Sequence, residues 1–160
     1  MIFETQRLIV REFTTQDAGL FFRVNGNETL MKHIRKALSK PESDKFLEEN
    51  IRFYGQSPNL GRWCVVEKAG NSFAGIFALI FLPFDDEKDK VQIGYALMPE
   101  AWGKGFTTEL TKAGIDYYFI LYCLNNSDFV TLLKNYELQN FPISKGTKRI
   151  KGPITKDGTG

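Results

Sequence analysis

The distribution of apolar and polar positions predicts strands near the start of the chain and in its middle. Residues 7–13, 62–67, 73–82 and 91–98 are rich in β-branched and aromatic side chains, as strands are. Residues 68–71 separate the second and third runs with glycine and asparagine and predict a hairpin turn. The third run is almost entirely apolar, which is typical of a strand covered on both faces in the middle of a helix-flanked sheet.

Capping signals after the first strand predict a helix. Thr14 or Thr15 can cap it, and Asp17 places a negative charge in its first turn, where the helix dipole favours one. Gly26 is expected to end it.

A second helix is predicted before the second strand. Pro41 is allowed in a first turn and opens this helix, whose apolar residues recur with helical spacing up to Gly55. Residues 30–38 are expected to form a short helix or an irregular arm. The apolar residues of the second helix are Phe46, Leu47, Ile51 and Tyr54.

Residues 91–118 are predicted to form a strand, a glycine-bearing loop and a further helix. Pro99 closes the strand because proline cannot donate to a β-ladder. The helix is expected to have one apolar face, since its apolar side chains recur at steps of four, three and four residues. They are Phe106, Leu110, Ala113 and Tyr117.

The loop before this helix has the composition of an anion-binding site. Gly103 and Gly105 let the backbone turn sharply and approach a ligand, and Lys104 adds a positive charge at the rim. The first amides of a helix have no carbonyl partner within it, and the dipole favours an anion there. Two interpretations stay open: a seat for a phosphate or pyrophosphate, or a tight turn alone. The amides concerned belong to Gly105, Phe106, Thr107 and Thr108.

Length and composition indicate one ordinary globular domain. The chain has 160 residues, of which 42% are hydrophobic and 25% charged. No apolar run approaches the ~20 residues that span a bilayer, and the acidic, polar start does not have the pattern of a secretory signal. We therefore expect a cytoplasmic protein with no membrane partner.

The cysteines, the single histidine and the charged C-terminal tail do not indicate a disulfide, a metal site or a nucleic-acid site. Cys64 and Cys123 lie among apolar neighbours, which favours buried thiols over a disulfide, and the single His33 provides no metal cluster. Residues 145–160 carry five basic side chains and one acidic one. A solvated tail is favoured over a nucleic-acid site because no aromatic residue interleaves these charges, so we expect no nucleic-acid partner.

Two separated motifs, in this order, carry a resemblance to a known family. Residues 4–13, Glu-Thr-Gln-Arg-Leu-Ile-Val-Arg-Glu-Phe, are followed by Asp17-Ala18. Residues 93–97, Ile-Gly-Tyr-Ala-Leu, are followed by Pro99-Glu100 and by residues 102–109, Trp-Gly-Lys-Gly-Phe-Thr-Thr-Glu. The chain from residue 4 to about 119 resembles the GCN5-related N-acetyltransferases (GNAT), in particular the branch that includes the N-terminal acetyltransferases of ribosomal proteins.

The resemblance implies a fold and a reaction. The fold is α/β (α+β), with a mixed, largely antiparallel central sheet flanked by helices, in a single N-acetyltransferase domain over residues 1–160. The implied enzyme transfers an acetyl group from acetyl-CoA to a primary amine through a tetrahedral intermediate, without a metal. The acceptor is left open among a protein N-terminus, a polyamine and an amine-bearing antibiotic.

The resemblance also implies site residues. In the family the central strand carries a bulge and leaves main-chain groups free for the pantetheine arm, here those of Ala96, Leu97 and Met98. The amide of Leu97 is the implied oxyanion donor, Tyr136 the implied proton donor to the departing thiolate, and Asn126 a further cofactor contact. The loop residues implied to bind the cofactor are Trp102, Gly103, Lys104, Gly105, Phe106, Thr107 and Thr108.

No residue stands out as the general base. Gln92 occupies a position where the family often has glutamate, and an amide cannot take the proton. Surface charge is the favoured interpretation of the other carboxylates considered, and Glu109 is expected to support the loop. Those carboxylates are Glu12, Asp85, Asp86 and Glu87.

The C-terminal third is atypical for the family. The helix is expected to end near Phe119, and the strand that should follow is not evident, which leaves three open alternatives: divergence, exchange with a partner chain, or an altered reading frame. An exposed sheet edge would favour a homodimer. The competing hypothesis for function is a non-catalytic acyl-CoA-binding or assembly module.

Overall fold

A computed structural model describes residues 1–81, 91–125 and 148–150. In these ranges six strands form one sheet in chain order, and every neighbouring pair is antiparallel. The strands are β1 (Phe3–Glu4), β2 (Leu8–Arg11), β3 (Gly61–Glu67), β4 (Ser72–Phe81), β5 (Val91–Leu97) and β6 (Lys148–Ile150). The helices are α1 (Ala18–Asn25), α2 (Glu28–Met31), α3 (Lys40–Gln56) and α4 (Phe106–Asn125). Short 3₁₀ turns cover Thr15–Asp17 and Pro99–Ala101.

Helices pack on both faces of the sheet. One apolar cluster joins the sheet to α4, and a second joins the opposite face to α1 and α3. Strand β4 is buried over six consecutive residues, 74–79, which confirms the expectation of a strand covered on both sides. Large buried side chains of the α4 cluster include Trp63, Phe77, Leu79, Phe106 and Leu110; those of the second cluster include Phe13, Phe21, Met31 and Leu47.

The predicted start and end of the first helical segment are confirmed. The Thr14 amide and hydroxyl donate to the Asp17 carboxylate at 2.8 and 2.9 Å, and Gly26 directly follows α1. Arg11 also binds Asp17 through two nitrogens, each at 2.8 Å. The bonds from Arg11 lower the pKa of the Asp17 carboxyl to about 2, so the group stays ionised where it is buried.

Two features differ from the expectations. Helix α4 continues to Asn125, because residues 120–124 extend the helix that was expected to end near Phe119. The register shift in the sheet lies between Val65 and Val66 in the β3–β4 ladder, whereas β4 and β5 pair without a break. The expected bulge in the central strand is therefore not present.

A glycine brings β4 and β5 close together beside the predicted site. Gly75 lies opposite Leu97 and has a φ of 143°, which side chains rarely allow. A Cβ atom at this position would lie 2.3 Å from the Ala96 carbonyl oxygen and 2.7 Å from the Leu97 Cα, both of them backbone atoms. The close pairing of the two strands here therefore requires glycine.

We predict that Gly75→Ala destabilises the fold by about 2 kcal/mol, since the new methyl group meets backbone that cannot turn aside. Gly19→Ala is the matched control, because a Cβ at this α1 position meets nothing within 4 Å. It should raise the free energy of unfolding by about 0.5–1 kcal/mol through helix propensity. Urea denaturation measures both changes, and equal effects of the two substitutions would contradict the close approach.

Candidate active site

The free edge of β5 exposes main-chain groups of Leu97. The Met98 amide donates to the Ala74 carbonyl of β4 at 2.9 Å, and the Ala96 carbonyl oxygen also points at β4 beside Gly75. Because N–H and C=O groups alternate sides along a strand, those of Leu97 point to the opposite edge. Of the three residues expected to offer main-chain groups, only Leu97 does so in this strand geometry.

Strand β6 occupies only the first part of that edge. It pairs with Val91, Gln92 and Ile93, and within the described ranges no strand pairs with residues 94–97 on this side. The Leu97 carbonyl instead accepts a 2.7 Å hydrogen bond from the Trp102 indole nitrogen. The Leu97 amide is thus left as an outward-facing donor at the end of β5.

The glycine loop connects this strand end to α4. Gly103 and Gly105 have φ angles of 74° and 77°, the left-handed conformation that glycine adopts without strain. The Glu109 amide donates to the Gly105 carbonyl, which fixes Gly105 as the residue before the first helical turn. The amides of residues 105–108 have no partner in the described part of the chain, at the positive end of a 20-residue helix.

Arg7 holds this loop from the first strand region. Its guanidinium donates to the Lys104 carbonyl at 2.8 Å and to the Glu109 carboxylate at 2.7 Å, and it lies over the Phe106 ring at 4.7 Å. A Cβ at Gly105 would lie 3.7 Å from an Arg7 nitrogen. One side chain therefore contacts the loop before, at and after its second glycine.

Glu109 completes this connection. Its carboxylate accepts a 2.5 Å hydrogen bond from the Thr5 hydroxyl, besides its bonds from the Arg7 side chain and main chain. Burial alone would raise the pKa of this carboxyl, but the bonds from Thr5 and Arg7 outweigh burial and lower it below 4.5. The predicted supporting role of Glu109 agrees with this geometry.

A family model described as an acetyltransferase (GNAT) domain matches residues 7–141. The chain belongs to the GNAT acetyltransferase family. The match covers the second motif and the first motif from Arg7 onward, and it extends past Phe119.

Individual relatives are distant. The "Uncharacterized N-acetyltransferase YoaA" of Bacillus subtilis is 25% identical over 74% of this chain and 66% of its own length, so the chain spans about two thirds of this relative. The RimL ribosomal L7/L12 α-N-protein acetyltransferase in complex with coenzyme A has a TM-score of 0.59 and 17% identity over 74% of this chain and 67% of its own. The spermidine N-acetyltransferase of Vibrio cholerae, solved with CoA and spermine, has a TM-score of 0.58 and 20% identity over 82% of this chain and 80% of its own. These two structures show that the chain has the GNAT fold.

The other residues implied by the GNAT resemblance are placed as follows. Trp102 is 56% exposed beside the loop, Phe106 is buried, so only its amide can face a ligand, and Thr107 and Thr108 lie in the first turn of α4. The Lys104 ammonium is 3.0 Å from the Glu67 carboxylate, so its charge is partly neutralised rather than free at the rim. Asn126 and Tyr136 lie outside the described residues.

Of the carboxylates considered as bases, the described residues include Glu12, which does not lie near the Leu97 amide. Glu12 follows β2, which stands three strands from β5, or about 14 Å at the usual strand spacing. Asp85, Asp86 and Glu87 lie outside the described ranges. Gln92 is in β5 and pairs with Arg149 of β6.

The remaining polar residues fit structural roles. Cys64 is a buried free thiol, and burial raises its pKa to about 11, whereas the Cys123 side chain lies outside the described residues. In the described ranges, no three His, Cys, Asp or Glu side chains are grouped as metal ligands would be. None of the described helices combines the length and apolar content that a membrane span requires.

Sequence reasoning missed Thr5, Arg7 and the Trp102 bond to Leu97. Arg7 and Glu109 are far apart in the chain, so no local pattern relates them. The available signal was that both lie in motifs carrying the GNAT resemblance.

We predict that Glu109→Gln loosens the loop. Removing the charge weakens the bond to a half-exposed arginine, so we expect a loss of about 1 kcal/mol at pH 7 and faster hydrogen exchange of the Glu109 amide, which donates to the Gly105 carbonyl. Because folding lowers the pKa of this carboxyl, the stabilisation is present above about pH 4.5 and disappears as the pH falls through the folded-state value. Glu48→Gln, at an exposed α3 position, is the control, and unchanged exchange in the Glu109 variant would contradict the role of this side chain.

Proposed function

We propose that this protein is an N-acetyltransferase that transfers the acetyl group of acetyl-CoA to a primary amine. The observation that supports it is the placement of the loop amides and the Leu97 amide along one path. The amides of residues 105–108 suit a pyrophosphate, and the outward-facing Leu97 amide at the end of β5 suits the thioester carbonyl that the pantetheine arm carries. Both neighbouring structures named above contain CoA.

In the proposed reaction the neutral amine attacks the thioester carbonyl carbon. A C–N bond forms, and the carbonyl oxygen takes the electron pair as an oxyanion, which the Leu97 amide stabilises by a hydrogen bond. Collapse of the tetrahedral intermediate breaks the C–S bond and releases the CoA thiolate. The amine loses one proton to a base or ordered water, and the thiolate gains one, for which Tyr136 is the proposed donor.

Binding energy for the cofactor is expected to depend on the loop held by Arg7. The helix dipole favours an anion, as do the amides of residues 105–108, which have no partner among the described residues, and Arg7 fixes the loop before the ligand arrives. Pre-ordering of this kind lowers the entropy cost of binding. The acceptor classes to be tested follow from the neighbours: a peptide N-terminus and a polyamine.

We predict that acetyl-CoA binds the natural chain in a calorimetric titration and that Gly105→Glu reduces its affinity at least about a hundredfold. The substitution places a side chain and a negative charge at the anion seat, where each unfavourable interaction costs about 1–3 kcal/mol. Gly19→Glu is the control, since it adds the same charge at an open position on α1. Thermal unfolding of both variants separates lost binding from lost folding.

Thiol release from acetyl-CoA over a panel of amines then tests catalysis. Turnover with at least one amine supports the transferase. Tight binding without turnover of any amine would support the non-catalytic acyl-CoA-binding module instead, and absence of binding by the natural chain would contradict the cofactor site itself.

A further inference from the structure

Two arginines lie together without a carboxylate on the sheet face that carries α1 and α3. Arg35 follows α2 and Arg62 lies in β3, yet their guanidinium carbons are 4.5 and 4.9 Å from the centre of the same Phe46 ring. Arginine stacks on aromatic faces in this way, and a stacked guanidinium can still donate from its edge to a planar anion. The two guanidinium groups and the Phe46 ring thus form one cluster, and Arg35 and Arg62 are called the arginine pair.

The arginine pair is not neutralised within the described part of the chain. Arg35 donates to the side-chain oxygen of Asn25, which is uncharged, and no described carboxylate pairs with either guanidinium. Arg7 and Arg11, by contrast, each bind an acidic side chain. Burial, and secondly the charge of Arg35, lowers the pKa of Arg62.

The backbone beneath Arg62 is firmly fixed. Asn50 accepts from the Arg62 amide at 3.2 Å and donates to its carbonyl at 2.9 Å, and the Tyr54 hydroxyl donates to the same carbonyl. Two like charges held together and partly desolvated are costly unless an anion joins them. The arrangement therefore has the properties of a binding site for a carboxylate, which accepts paired bonds from arginine.

A strip of small residues leads from the arginine pair to β5. Arg62 lies opposite Ala78, and Ala78 lies opposite Gly94, so the three residues share one face of the sheet. Among the described residues, a Cβ at Gly94 would approach only the Ala78 methyl, at 3.8 Å, so no bulky described side chain lies directly over Gly94. Leu97 is three residues further along β5, which puts its Cα about 14 Å from that of Arg62 at ordinary strand spacings.

We propose that Arg35 and Arg62 bind a side-chain carboxylate of an acidic peptide whose N-terminal amine is the acetyl acceptor. This inference rests on the proposed function. An extended peptide advances roughly 3.5 Å per residue, so an amine near Leu97 and an acidic side chain at the second or third residue fit the separation. A polyamine carries only positive charge and is repelled by the arginine pair.

The experiment compares acceptors that differ only in charge. The natural chain is given acetyl-CoA with the C-terminally amidated peptides Ala-Glu-Glu and Ala-Gln-Gln, with alanine and alaninamide, and with spermidine. We expect kcat/KM for the acidic peptide to exceed that for its amide counterpart at least about tenfold, mostly through KM, as for hydrogen bonds to charged groups. Free alanine is too short to reach both the amine position near Leu97 and the arginine pair, so its rate should not exceed that of alaninamide in this way.

Matched variants assign the preference to the arginine pair. Arg62→Met and Arg35→Met keep apolar bulk but remove the charge, and each should reduce the acidic-to-amide ratio at least about tenfold; Arg62→Lys should restore part of it. Arg52→Met, at an exposed position on α3, is the control and should leave the ratio unchanged. Thermal unfolding of both methionine variants checks that they remain folded, because Arg35→Met also removes the donor to the buried Asn25 oxygen.

The outcomes separate this inference from the proposed function. Four outcomes would overturn the acidic-peptide site while leaving the transferase intact. The first two are equal rates for the two peptides and a preference for spermidine over the acidic peptide. The other two are a preference for the acidic peptide that the arginine variants do not alter and an arginine-dependent preference for free alanine over alaninamide. If no amine is turned over, the proposed transferase activity is contradicted. Calorimetric titration of both peptides into the CoA-bound protein then tests whether the acidic-peptide site exists. Arginine-dependent binding of the acidic peptide would then uphold it, and equal binding would overturn it.

Discussion

The connection between Arg7 and Glu109 is the interaction on which the candidate site depends. It ties the residues before β2 to the first turn of α4, and through the Lys104 carbonyl it also fixes the glycine loop. A loop with two left-handed glycines has many alternative conformations when it is unsupported. Fixing it from the bend that directly precedes β2 orients its amides towards one point, which is what binding of an anion by main-chain donors requires.

The sheet contributes the second half of the site through incomplete pairing. Gly75 permits close contact between β4 and the end of β5, so Ala96 and Met98 are committed to that side. Strand β6 covers only the first three residues of β5 on the other side. Within the described residues the Leu97 amide therefore lies next to the helix end without a ladder partner, and the Trp102 indole fixes its carbonyl. The Leu97 amide and the loop amides of residues 105–108 are close because a short connection joins β5 to α4.

Sequence patterns predicted the elements better than their contacts. The nearly continuous apolar run of β4 and the capping signals at Thr14 and Pro41 depend on local chemistry, and the structure has the strand and both helices there. Residues 120–124 are apolar in a way that fits either a strand or a helix, and their continuation of α4 could not be decided locally. Strand pairing determines which amides of β5 are free, and a one-residue shift would reverse the result. The connection between Arg7 and Glu109 and the arginine pair each join residues distant in sequence, so no local sequence pattern predicts either one.

Hydrogen exchange of single amides in β5, followed by NMR with and without acetyl-CoA, tests whether the strand edge at Leu97 binds the cofactor. We expect the Leu97 amide to exchange rapidly in the free protein and to be protected when acetyl-CoA binds along the strand edge. The amides of Ala96 and Met98 should be protected in both states, because they face β4. Protection of Leu97 already present in the free protein, or unchanged rapid exchange at saturating acetyl-CoA, would contradict a cofactor site built on the free edge of β5.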